Sequence, residues 1–188
     1  MAEKQSSGLT WGRIARRIRV PLGFVFAVLY LWLARPTWVS IGVGASIAAT
    51  GVWIRAMASG HVKKNEELTT TGPYAYCRNP LYLGSIVIAI GFAVASVSIW
   101  VAIIIVFLFV AIYVPVIRGE EAFLRAKFPQ YDEYAHRVPR LIPSIVGERN
   151  PGSGFSRELY LQHREYNAII GAVVVLAALA AKLIWLSR

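Results

Sequence analysis

Long apolar runs separated by compact polar blocks set the pattern of this chain. The runs cover roughly residues 20–34, 38–58, 81–97, 99–117 and 168–186. A helix crossing the hydrocarbon core of a bilayer needs about 20 apolar residues, or as few as about 17. The pattern therefore predicts an all-α polytopic membrane protein of about five transmembrane helices, folded as a single domain over 1–188. The first run is short, and Thr37 and Trp38 are predicted to lie at the interface and extend it. It reads as a retained span rather than a leader peptide, because Arg35-Pro36-Thr37-Trp38 follows it in place of a small-residue cleavage site. The third and fourth runs meet at Ser96-Val97-Ser98. Together they are too long for one span, so a tight hairpin is predicted there.

Charge supports this division. Hydrophobic residues make up 56% of the chain and charged residues 16%, which is too apolar for an ordinary soluble domain. The net charge of +10 would suit a nucleic-acid binder. The cations, however, sit in blocks between apolar runs instead of along one stripe, and nucleic acid is not expected as a partner. All but three of the 20 Lys and Arg fall before Val20, within 55–80, or within 118–167. Arg35, Lys182 and Arg188 are the exceptions. This asymmetry predicts a cytoplasmic N-terminus and a C-terminus on the opposite side, in a bacterial inner membrane or the endoplasmic reticulum. The bilayer is the first expected partner. Cys77 is the sole cysteine, so no intramolecular disulfide forms.

Two polar segments are long enough to do more than connect spans. From Glu120 to Arg137, Phe123, Leu124, Phe128, Tyr131 and Tyr134 recur at helical spacing, as in a helix lying partly on the membrane surface, with a break at Pro129. Asn150-Pro151-Gly152-Ser153-Gly154 reads as a turn, and Phe155 to Arg164 as a short amphipathic helix.

Candidate chemistry lies at two places. The first is Leu68-Thr69-Thr70-Thr71-Gly72-Pro73-Tyr74 through Arg78-Asn79-Pro80-Leu81-Tyr82-Leu83-Gly84. Pro80 suits the first turn of a helix, whose free N–H groups, with Arg78 beside them, favour an anion. The same residue types also make an ordinary interfacial belt. The second is Glu120-Glu121, followed by Phe128, Tyr131, Tyr134 and Val138-Pro139-Arg140. Carboxylates near a bilayer are costly unless solvated or paired. They could bind an ammonium or hydroxyl groups, or simply form a solvated pair at a helix N-terminus. His61, His136 and His163 lack metal-site spacing, and no metal is expected. No Gly-rich nucleotide loop is present.

These two motifs, in this order and one hairpin apart, resemble the isoprenylcysteine carboxyl methyltransferase family, which is related to the phospholipid methyltransferases. The resemblance covers roughly residues 61–143. It implies S-adenosyl-L-methionine as methyl donor, in a pocket on the cytoplasmic side, and a lipophilic or prenylated methyl acceptor entering between helices. Carried over by position, Leu68, Thr69, Tyr74, Asn79, Pro80, Leu81, Tyr82 and Glu120 would bind the donor, with Arg78 for its carboxylate and His61 nearby. Members typically carry His where this chain has Asn79, which can donate a hydrogen bond but holds no charge. Glu121 or a tyrosine would act as base for an amine or hydroxyl acceptor, and Arg140 or Arg118 would hold an anionic head group.

Two other classes compete. One is a nicotinamide-dependent membrane reductase of related fold. The other is a non-enzymatic lipid- or partner-binding protein, which expects the two motifs to lie apart.

Overall fold

The computed structural model describes residues 25–63, 66–147 and 154–187, and these contain helices and no strand. The basic N-terminal block, the start of the first predicted span and most of the 150–154 turn fall outside them. The elements are α1 (described over 25–33), α2 (Trp38–Ser59), a 3-10 turn (Gly72–Ala75), α3 (Pro80–Ser96), α4 (Ile99–Lys127), α5 (Tyr131–Arg137), α6 (Arg157–Gln162) and α7 (Tyr166–Leu186).

Among the described residues, three helices are long and apolar enough to cross a bilayer: α2, α4 and α7. At 17 residues, α3 is shorter. α4 is a single helix of 29 residues running well beyond the predicted 99–117 span, so the acidic pair sits inside a continuous helix and not at a helix start. Within it, Phe109–Tyr113 widens to a π-turn immediately before Val114-Pro115. Pro115 has no N–H to return to the preceding turn, which accounts for the widening.

Thr37 does not extend the first span. It caps α2: Ser40 N–H donates to Thr37 Oγ1 (3.0 Å) and Thr37 N–H to Ser40 Oγ (2.9 Å), a reciprocal box that satisfies two orphan donors. The predicted break between the third and fourth runs falls at Val97, whose φ of 48° places it in the left-handed region. The chain reverses there, and Tyr82 at the start of α3 meets Glu120 near the end of α4. Pro129 interrupts the helical pattern between α4 and α5, as predicted.

Contacts between helix ends define two sides. Arg55, near the end of α2, reaches Glu165, just before α7, and Leu81, at the start of α3. On the far side, Arg35 N–H donates to Ser96 O (2.7 Å). There too, Lys182 of α7 donates to the carbonyls of Leu31 and Ala34, satisfying the open end of α1. The exposed Trp32, Trp38, Trp100 and Trp185 gather on this far side, and Trp53 stands near the other end of α2. Such rings mark the levels at which a protein meets the two interfaces of a membrane. This is an integral membrane protein by the length and composition of its helices.

The tightest packing is between α2 and α3. A Cβ on Gly51 would lie 2.6 Å from Gly84 O, and one on Gly91 would lie 2.6 Å from Gly44 O. Two layers of glycine thus let the backbones touch, as helices do in lipid, where van der Waals contact drives association. One apolar cluster, with Tyr30, Ala34, Ala95, Val101 and Leu179, fills the far end of the bundle. A second, made of Phe128, Tyr131, Tyr134 and Val138, lies under the polar segments.

Candidate functional site

The turn before α3 and the end of α4 fold onto each other around a cavity of about 470 Å³. Pro80 opens α3, and the 3-10 turn Gly72–Ala75 carries Tyr74 inward to burial. Gly72 sits at φ 57° against the His61 ring, which leaves no room for a side chain. Tyr134 Oη donates to Tyr74 O (2.8 Å), pinning this turn to α5.

Leu68, Thr69, Tyr74, Arg78, Asn79, Pro80, Leu81, Tyr82 and Glu120 all line the cavity. Tyr82 Oη donates to Glu120 Oε2 (2.7 Å), and Tyr113 stands edge-on to the Tyr82 ring with centroids 5.7 Å apart. Arg78 is nearly buried, and its Nε has no partner among the described residues. A buried guanidinium N–H left open in this way is costly unless an acceptor arrives.

Three predicted residues lie elsewhere. His61 is held at the end of α2, with Nδ1 2.7 Å from Met57 O and the ring edge-on to Phe155. Glu121 is buried behind the cavity wall. It accepts from Arg140 Nε (3.0 Å) and Nη2, and from Asn79 Nδ2 (3.3 Å), with Arg78 Nη1 at 3.7 Å. Both Glu121 oxygens are therefore engaged by the Arg140 guanidinium. Asn79 Nδ2 also donates to Arg140 O (3.1 Å), so Asn79 ties the two motifs together.

Sequence reasoning missed the opposite wall. Arg55 donates from Nε and Nη2 to the two oxygens of Glu165 (3.0 and 2.9 Å), and from Nη1 to Leu81 O (3.2 Å) and Ser85 Oγ. All four residues line the cavity. The signal was present: an arginine inside an apolar run marks a function or a dedicated partner.

Burial and the nearby Glu120 push the Tyr74 hydroxyl well above the usual phenol range, and burial with Glu121 does the same to Tyr131. Both stay protonated at neutral pH and can donate but not take a proton. Burial also pushes the Cys77 thiol up, and its Sγ donates to Leu141 O (3.3 Å). The thiolate is the reactive form. Cys77 is therefore expected to resist maleimide in the folded protein and to react freely once denatured. Mass spectrometry of the adduct in both states checks this, and equal rates would refute the inert thiol.

The same constellation carries the sequence signature of a family. The phospholipid methyltransferase family matches residues 22–131, more than half of the chain and both sides of the cavity. The chain belongs to the phospholipid methyltransferase family. Among curated proteins it is 37% identical over 116 residues to the nickel-cobalt-cadmium resistance protein NccN of Alcaligenes xylosoxydans xylosoxydans, covering 58% of this chain and 54% of that relative. It is also 37% identical over 136 residues to the cobalt-zinc-cadmium resistance protein CzcN of Cupriavidus metallidurans, covering 68% of this chain and 62% of the relative. The match spans between half and two thirds of the length of each. No solved structure matches the chain. Neither relative carries a name that points to a nicotinamide-dependent reductase. The contact between the two motifs removes the separation that a purely lipid-binding protein would have.

Proposed function

We propose that this phospholipid methyltransferase family member transfers a methyl group from S-adenosyl-L-methionine to a lipid-like acceptor, with the cavity as donor site. The convergence of Arg78, Tyr82 and Glu120 from the two motifs on one cavity carries the reading. A volume of about 470 Å³ lies in the ~300–1,000 Å³ range of cofactor-sized sites. The residues present fit the donor's parts. The Arg78 guanidinium, which lines the cavity, suits a carboxylate through a charge-assisted contact. Glu120, exposed at the cavity wall, suits an ammonium or ribose hydroxyls. Tyr74, Tyr82, Leu81 and Leu68 offer faces for adenine. When bound, the donor supplies an electrophilic methyl group on a sulfonium.

The chain's own work is to bind, orient and exclude water. Glu121 and Arg140 act as positioning residues in this reading: their ion pair and Asn79 fix Arg78. A carboxylate or thiolate acceptor needs no base. For an amine or hydroxyl, Glu120 is the candidate base among the carboxylates lining the cavity, since Glu165 is held by the Arg55 guanidinium and Glu67 pairs with Lys63, while Glu121 is held by guanidinium behind the wall and Tyr74 stays protonated. The five-span topology, with the N-terminus and the cavity on the cytoplasmic side, follows from the charge asymmetry and belongs to this proposal.

Titration calorimetry of the purified, folded protein in detergent tests the reading, and absence of donor binding rejects it. Glu120→Ala and Tyr82→Ala are each expected to weaken donor binding about tenfold or more, the worth of one charge-assisted contact. His163→Ala, which removes only a contact to Ser59 O, leaves it within about twofold by the same conversion. The resistance roles named for the two relatives are theirs; survival of a deletion strain in cadmium or cobalt would show whether they extend to this chain.

A further inference from the structure

The segment after α5 presents an apolar tip to the surroundings. Ile142 is 82% exposed, Ile145 99% and Val146 79%, within a stretch that also holds Leu141 and Pro143. Surface apolar residues are common singly, but a contiguous group marks an interaction site. This loop is not loose at its base. Arg78 N–H donates to Pro139 O (2.9 Å), Ser144 N–H donates to Tyr76 O (2.9 Å), and Gly147 lies against the Tyr76 ring. Cys77 Sγ donates to the Arg140 and Leu141 carbonyls. The tip itself is closed by Ser144 Oγ, which donates to Val146 O (2.9 Å).

We propose that residues 141–147 form a membrane-inserting loop, with the bilayer as its partner. Three observations commit it to lipid. Its tethers are residues 76–78, immediately ahead of Pro80, so the loop is fixed at the level where the apolar helix α3 begins. That level is continuous with the lipid-facing belt of the spans. The loop is approached through Arg137 and Arg140, and a hydrophobic tip behind basic residues fits an interface carrying anionic lipid. The backbone at the tip is partly satisfied by the Ser144 turn, which lowers the cost of leaving water. The loop also hangs from Arg140, whose carbonyl and guanidinium hold Asn79 and Glu121. Insertion would therefore brace the polar cluster behind the cavity from the lipid side. This inference does not depend on the identity of the methyl donor.

The test places a nitrobenzoxadiazole probe on Ile145→Cys in the full chain, with the buried Cys77 left in place. The protein is reconstituted into vesicles of phosphatidylcholine and phosphatidylglycerol, with and without brominated acyl chains. Phe107→Cys on the exposed face of α4 serves as the lipid reference, and Ala126→Cys beyond the span as the aqueous one. Insertion predicts blue-shifted emission at 145, loss of signal in brominated lipid as at 107, and protection from iodide. Emission and iodide quenching like those at 126 would overturn the proposal. So would a blue-shifted probe that brominated lipid leaves bright, because protein would then be covering the loop. Should Ile145→Cys fail to reconstitute, Val146→Cys gives the same readout.

Discussion

Gly51→Ala is expected to loosen or unfold the helix bundle, although it adds a single methyl group. The new carbon would stand 2.6 Å from Gly84 O and 2.7 Å from Ile88 N, both backbone atoms of α3 that no rotamer change can move. The helices must separate, and overpacking of this kind costs about 1–3 kcal/mol or more. Gly91→Ala meets the same obstacle in Gly44 O (2.6 Å) and Ala48 N (2.7 Å). The loss should spread to the cavity, because Arg55 follows Gly51 by one turn on α2 and lies across Gly84. Gly42→Ala supplies the control on the same helix, since nothing lies within 4 Å of the added carbon. Thermal unfolding in detergent, followed by the fraction still monodisperse on size exclusion, should show a clear fall for Gly51→Ala and Gly91→Ala and none for Gly42→Ala. Equal melting for all three would mean that α2 and α3 do not touch through these glycines.

The course of the chain was readable from hydropathy and charge because both are one-dimensional properties. Apart from α4, which runs on to Lys127, the described ends of the long helices fall near their expected places, and Arg55, Glu165, Tyr82 and Glu120 group on one side with Lys182, Arg35 and Ser96 on the other. Lateral contacts were not readable, because they depend on which face of a helix meets its neighbour. Gly44 and Gly51, and Gly84 and Gly91, each repeat after two turns, but spacing alone does not name the partner helix. Glu120-Glu121 shows the same difficulty within the site. Neighbours on a helix point about 100° apart, so reading them as one acidic pair merged two roles. Glu120 faces the cavity beside Tyr82, whereas Glu121 turns to the guanidinium groups of Arg78 and Arg140. Arg55 counts only toward a basic block in the sequence, and it forms a cavity wall with Glu165 because α7 returns beside α2. Thr37 was assigned to the wrong helix: its reciprocal hydrogen bonds with Ser40 outweigh its closeness to the first apolar run.

Glu121→Ala is expected to be the most damaging change at the polar cluster, and more damaging than removing its closest partner. Glu121 is 4% exposed and is the carboxylate shared by Arg140, Asn79 and Arg78. Its loss leaves Arg78 buried with only a long contact to Tyr131 Oη (3.5 Å) and an Nε that already lacks a partner. Breaking a buried pair from one side costs about 3–5 kcal/mol. Arg140 is about half exposed, so Arg140→Ala lets water reach its place while Arg78 remains as counter-charge to Glu121 and Asn79 still donates to it; about 1 kcal/mol is expected there, as for a solvent-screened pair. Glu121→Gln separates charge from shape: it keeps the hydrogen-bonding volume but leaves both guanidinium groups without a counter-ion. Its stability should fall between the other two. Donor affinity should fall with it, because an Arg78 free to move loses its aim into the cavity. Denaturation of the three variants alongside calorimetry of donor binding gives both quantities. An Arg140→Ala protein less stable than Glu121→Ala would place the anchor of the cluster on the arginine and would remove Glu121 from its centre.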